Sequence, residues 1–134
     1  MYFTLRELIY SDTAASRKID NTPSWAQVLQ LHSFVICCLD PIRVMWGAPI
    51  KVNSGYRSPA LNKAIGGVKG SYHQCILGFA AADITTGTQD GNIKLFDMIQ
   101  GSSVRFVELI LEQGGKWVHI AWHADRNDRE ISVS

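Results

Sequence analysis

Residue types able to do acid–base, electrophilic or metal chemistry are concentrated in two stretches. In SGYRSPALNKAIGGVKGSYHQCILGFAAADI (Ser54–Ile84), one Arg, one His and one Asp stand among turn formers: Arg57, His73 and Asp83, with Gly55, Pro59, Gly66, Gly67, Gly70 and Gly78 around them. In KWVHIAWH, His119 and His123 are four positions apart. On an extended strand they share a face with Ala121, while Val118, Ile120 and Trp122 point the other way. Imidazole nitrogen and carboxylate oxygen both suit zinc, and three protein ligands leave a fourth position for water, as a hydrolytic zinc requires. His, Asp and His on separate elements therefore form a candidate zinc set. Two unrelated strand histidines and a loop that merely carries polar residues are the competing reading. The fourth histidine, His32, falls inside a helical pattern and reads as a surface or satisfied core residue.

The elements that must position these residues follow from periodicity. Residues 3–10, FTLRELIY, fit a short strand or a helical turn. In NTPSW, Thr22 can cap a helix with Pro23 at its first position. Trp25, Val28, Leu29, Phe34, Val35, Cys38 and Leu39 then recur near the helical period and predict a broad buried face. Pro41 should kink or end that helix, and PIRVMW should add a helical segment stopping at Gly47. A strand is expected over Ile50–Ser54, a short helix over SPALNKAIGG, a strand over FAAADI and an amphipathic helix over Asp90–Gln100. VRFVELILE and KWVHIAWH, separated by QGG, have the pattern of a β-hairpin, and REISVS that of an edge strand. Early helices and late strands indicate one α+β domain over residues 1–134, its helices packed on a mainly antiparallel sheet.

Composition narrows the function classes. Thirteen basic against twelve acidic residues, with no dense basic block, argue against a nucleic-acid partner, which would call for a clustered Lys/Arg footprint. No apolar run of 18 residues is evident, so no membrane span is expected. MYFTLRELIYSD lacks the basic start and long apolar run of a signal peptide, which predicts a cytoplasmic chain as synthesised. Cys37, Cys38 and Cys75, an odd count with an adjacent pair, do not form a disulfide framework. Cys37 and Cys38 are expected to face a helical core.

SGYRSPALNKAIGG, then SYH, then G and AAADI, then WVHIAWH, together resemble the M15 family of zinc D-Ala-D-Ala peptidases, most closely its small bacterial and phage-type members. FTLRELIYSDTA and IDNTP extend the resemblance over nearly the whole chain. It implies a hedgehog/D-Ala-D-Ala peptidase-like fold, zinc as cofactor, and His73, Asp83 and His119 as its ligands. It further implies that Arg57 binds substrate or stabilises a developing oxyanion, and that Ser71 helps bind substrate. Two features depart from the family pattern. Asp83 follows His73 by ten positions where the pattern has seven. An extra residue inside a strand would reverse side-chain direction unless a bulge absorbed it. Lys116 stands three residues before His119, where well-described members carry a carboxylate base. His123 is the first choice for that catalytic role, with Glu112 and Glu108 as the others.

The resemblance implies a metallopeptidase that cuts peptidoglycan peptides beside a D-amino acid, acting on the cell wall after release. A zinc- or peptidoglycan-binding module that kept the fold and lost the base is the second reading. A structural phage component on the same scaffold is the third.

Overall fold

A computed structural model describes residues 1–134. The apolar first half folds as a continuous rod, Trp25–Trp46, made of α3 (Trp25–Phe34), a π-helical turn (Val35–Leu39) and α4 (Asp40–Trp46). Its cap is Ser24 and not Thr22: the Ser24 hydroxyl accepts from the Gln27 N–H, and the Gln27 side chain accepts from the Ser24 N–H. This reciprocal pair satisfies two donors at once, which a lone threonine cannot do. Pro41 does not end the rod. It falls in the first turn after the wide π turn, where it needs no ladder N–H.

Leu31, Phe34, Val35, Cys38, Leu39 and Ile42 form the buried stripe of the rod. Trp25 and Leu29 do not join it, being 74% and 53% exposed. Leu29 lies two positions from Leu31, about 200° round the helix. Cys37 is likewise exposed while Cys38 is buried, because neighbouring helical residues diverge by about 100°. At 22 residues and a mean hydropathy of 1.4 in its best window, the rod is long and apolar enough to cross a bilayer by length and composition alone, a test that the core helix of a soluble protein also passes; a third of that window is buried in this fold.

Short helices precede and follow the rod. Thr4 and Ser11 cap α1 (Leu5–Ile9) and α2 (Asp12–Arg17), so the first apolar segment is helical and not a strand. Five strands make one sheet: β1 (Lys51–Ser54), β2 (Phe79–Thr85), β3 (Glu108–Glu112), β4 (Trp117–His123) and β5 (Glu130–Val133), in the order β1-β2-β4-β3-β5. All neighbours are antiparallel except β3 and β5. Helices α5 (Pro59–Ala64) and α6 (Gln89–Gln100) lie in the connections.

Alternation along the strands divides the two faces. Ala80, Ala82, Ile84, Leu109, Leu111, Val118, Ile120 and Trp122 enter the core with the rod and α6, and the rings of Phe34 and Trp122 meet at 6.0 Å. Asp83, Glu108, Ile110, Glu112 and His119 belong to the opposite face. The chain is thus an α+β domain whose chemistry-bearing residues lie across the sheet from its main core.

One buried side chain ties the N-terminal helices to the site. Asn21 Nδ2 donates to the carbonyls of Ile9 (2.7 Å) and Tyr56 (3.0 Å), and its Oδ1 accepts from the Ser58 N–H at 2.6 Å. It pins the SGYRS turn to the end of α1. Asn21→Ala strands three backbone groups, so unfolding should become easier by roughly 2–4 kcal/mol. Urea titration checks this: the midpoint should fall at constant slope, and a change below about 0.5 kcal/mol would show that the latch is idle.

Candidate metal centre and cleft

Each polar side chain reaches the site by a local device. Asp83 comes from the middle of β2, directly opposite His119 on β4. His73 comes from a 3-10 turn (Tyr72–Gln74), whose start is capped by the Ser71 hydroxyl accepting from the His73 N–H. The turn itself lies against β2, and the loop that follows takes up the extra length between His73 and Asp83. Cys75, Leu77 and Gly78 all adopt left-handed φ (53°, 54° and 86°), coiling the chain before the strand begins. From Phe79↔His123 to Ile84↔Val118 the β2–β4 register is then unbroken, so Asp83 keeps its facing. The irregularity lies in β1, between Val52 and Ser54, a bulge opposite Asp83.

Three donor atoms converge. His73 Nε2, Asp83 Oδ1 and His119 Nδ1 are separated by 3.2, 3.3 and 3.0 Å, and all three residues are buried. Zinc bonds of 2.0–2.2 Å in a tetrahedron imply ligand atoms about 3.3–3.6 Å apart, so the set fits this ion with a few tenths of an ångström of adjustment. Outer partners aim both imidazoles. His73 Nδ1–H donates to the Gly55 carbonyl at 2.8 Å, which turns the Nε2 lone pair inward. His119 Nε2–H donates to Glu108 Oε1 at 2.8 Å, which does the same for Nδ1. Gly55 can approach this closely only without a side chain, because a Cβ there would lie 2.3 Å from the Leu8 carbonyl oxygen.

Arg57 completes the charge balance. Its Nη2 meets Asp83 Oδ2 at 3.2 Å and its Nε donates to Ser54 Oγ at 3.0 Å, while its backbone N–H donates to the His73 carbonyl at 2.8 Å. Burial alone would raise the Asp83 pKa, but hydrogen bonds from His119 and His73 and their charge outweigh it and hold the carboxyl well below the usual range. Burial would lower His119, yet its bonds to Asp83 and Glu108 prevail and push it up to about 9. Without metal, a proton on His119 therefore sits among the same atoms that fit zinc. Burial pushes the Cys75 thiol up to about 12, so this neighbour of His73 is no thiolate ligand.

The three donors open into a cleft of about 500 Å³ whose lining includes Arg57, Gly70, Ser71, Glu108, Glu112 and Trp117. His123 is not among its lining residues. It is four residues from His119, about 13 Å along the strand. Its Nε2–H donates to the Leu77 carbonyl, its Nδ1 accepts from the Asp125 N–H, and its ring packs on Phe79. With both nitrogens engaged, His123 anchors the inserted loop. Lys116 is exposed, and the carboxylates that line the cleft besides Asp83 come instead from β3, where Glu108 and Glu112 flank Ile110. Sequence reasoning missed the anchoring roles of Asn21 and His123; the only signal for Asn21 was its place in IDNTP.

A family model for Peptidase M15 matches residues 1–121. The chain belongs to the peptidase M15 family. No curated protein matches it. The match stops short of His123, the following turn and β5. M15 peptidases are zinc enzymes in general, and the His-Asp-His group of this chain is compatible with that chemistry.

The proton on His119 gives the metal-free protein a distinctive pH response. A folded pKa of about 9 against 6.5 means that its stabilisation is complete below pH 6.5 and is lost as pH rises through 9. Asp83 acts at the other end, its contribution being present above 3.8 and lost on acidification. The melting temperature of chelator-treated protein should therefore fall between pH 6.5 and 9. The increase produced by added zinc should grow over that interval, because fewer protons compete. A flat metal-free profile would contradict the arrangement.

Proposed function

We propose that the chain is a zinc metallopeptidase that hydrolyses peptide bonds of bacterial cell-wall peptides, next to a D-amino acid. The observation that carries the reading is the convergence of His73, Asp83 and His119, with both imidazoles aimed by outer partners, inside a chain of the peptidase M15 family. Zinc, when bound, would polarise the scissile carbonyl and lower the pKa of a water molecule. His73, Asp83 and His119 would hold it, and Glu108 would keep His119 in the ligating tautomer.

The remaining roles fall to groups on the cleft wall. Arg57 keeps its Nη1 free of protein partners while Nη2 stays with Asp83. Its planar fork can accordingly meet an oxyanion or a terminal carboxylate without giving up its structural contact. Ser71 lines the same cleft and would hydrogen-bond the substrate. We assign the base to Glu112, because Glu108 holds a candidate ligand imidazole, whereas Glu112 lines the cleft with no hydrogen bond to any of the three donors. Glu112 Oε2 accepts from the Ser134 hydroxyl at 2.8 Å, leaving Oε1 to take the proton of the attacking water and return it to the leaving amine. The role foreseen for His123 thus passes to a carboxylate from the neighbouring strand.

A second reading, a zinc- or peptidoglycan-binding module without turnover, is favoured by one observation: Lys116 stands where the base is expected. Digestion of purified peptidoglycan by the zinc-loaded protein, with mass analysis of the fragments, separates the two. Glu112→Gln should lower turnover about 10²–10⁴-fold with zinc content unchanged. Arg57→Lys, which keeps the charge but loses the fork, should cost about 10²–10³-fold. Glu108→Gln should instead weaken zinc binding about 10–100-fold. A zinc-replete Glu108→Gln protein without turnover, beside an active Glu112→Gln protein, would exchange the two roles. Bound but uncut peptidoglycan would establish the second reading.

A further inference from the structure

The strand that follows the family match meets the candidate base. β5 runs parallel to β3 in the register Glu108↔Glu130 to Leu111↔Val133, which brings Ser134 beside Glu112. Arg129 sets that register. Its main-chain N–H donates to the Phe106 carbonyl, its guanidinium donates to the carbonyls of Gln100, Ser102 and Val104, and it lies over the Phe106 ring at 4.3 Å. Ser134 then closes on β3 through four bonds. Its N–H donates to the Leu111 carbonyl at 3.0 Å, and its main-chain oxygen accepts from the Gly114 N–H at 3.2 Å. Its hydroxyl accepts from the Gln113 N–H at 3.1 Å and donates to Glu112 Oε2 at 2.8 Å. The segment so gripped leads into a turn of uncommon conformation: Gln113, Gly114 and Gly115 have φ of 47°, 71° and 111° in succession.

We propose that Ser134 is a positioning residue for the peptidase reaction: its hydroxyl holds the Glu112 carboxylate in one orientation on the cleft wall. A serine hydroxyl has a single proton to give. With one of its lone pairs taken by the Gln113 N–H, that proton goes to Glu112, and a carboxylate acceptor makes the stronger kind of hydrogen bond. The Ser134 hydroxyl is the one protein group bonded to this carboxylate. Glu112 is only half-buried, so without that bond its long side chain would be free to sample several rotamers. A base already held in place spares the reaction the entropy of ordering it. Ser134 itself does not line the cleft, so it acts through Glu112 and not on the substrate. The family match ends at residue 121, so the contact comes from outside the matched part of the chain. This inference rests on the peptidase reading for the task of Glu112; the hold on its carboxylate does not.

The test replaces the hydroxyl and leaves the main-chain bonds of Ser134 in place. In the full-length, chelator-treated protein, side-chain NMR couplings of Glu112 should report one χ1 rotamer, become averaged in Ser134→Ala and recover in Ser134→Thr. The Gln113 amide, having lost its acceptor, should exchange about tenfold faster in Ser134→Ala, while the Gly114 amide keeps its rate. In the zinc-loaded protein cleaving a peptide that ends in D-Ala-D-Ala, Ser134→Ala should lower kcat about threefold to tenfold. KM and zinc content should stay unchanged, and Ser134→Thr should restore the rate. In a Glu112→Gln background the same replacement should alter kcat by less than about twofold, because its effect runs through the carboxylate. A Glu112 rotamer indifferent to Ser134→Ala, a loss that falls on KM or on zinc content, or an equal loss in the Glu112→Gln background would each overturn the positioning role. A fixed rotamer released by Ser134→Ala in a protein without turnover would uphold the hold on Glu112 while refuting the peptidase reading. Turnover with kcat indifferent to Ser134→Ala would do the reverse.

Discussion

Asp83 is a carboxylate with 12% of its side chain exposed, and the rest of the site can be read as the means of keeping it charged. An isolated buried charge is prohibitive, so it must be met by opposite charge and hydrogen bonds in good geometry. His73 and His119 face Oδ1 and Arg57 faces Oδ2. Each partner is held in turn by an outer group: Gly55, Glu108 and Ser54. The same compensation makes the place suitable for a divalent cation, which would replace a proton between the imidazoles and the carboxylate without disturbing the outer partners.

That constraint explains the division of the sheet. Small residues at 81 and 121, paired across β2 and β4 and fully buried, leave room for the His73 loop to lie over the strands. Large residues at 118, 120 and 122 fill the other side. The extra length between His73 and Asp83 costs little because it is spent in left-handed turns outside the ladder. There it acquires its own support from His123, whose Nε2 would lie 2.5 Å from a Cβ at Gly78, so that glycine is required by contact as well as by φ.

Much of this was legible from pattern. Alternation in KWVHIAWH placed His119 on the polar face, and ordered motifs named the converging residues before any geometry was known. Periodicity was less informative for Trp25, Leu29 and Cys37, because a helix apolar on nearly every side does not reveal which stripe is buried. The Ser24 cap was hidden by the stronger local signal of Thr22-Pro23. Two non-local facts could not be read at all. The register of β3 against β4 puts Glu108 within reach of His119, and the Leu77 carbonyl occupies a His123 nitrogen. Lys116 left the carboxylate base unplaced by spacing along one strand; the neighbouring strand supplies candidates that linear distance conceals.

X-ray absorption at the zinc edge, on protein loaded with one equivalent of metal, tests the central claim most directly. The account predicts one tightly held zinc per chain, coordinated by two imidazole nitrogens and light oxygen donors at about 2.0–2.2 Å, with no sulfur. The signal should be lost in Asp83→Ala protein that remains folded. A sulfur shell near 2.3 Å, or unchanged zinc binding in that variant, would contradict it.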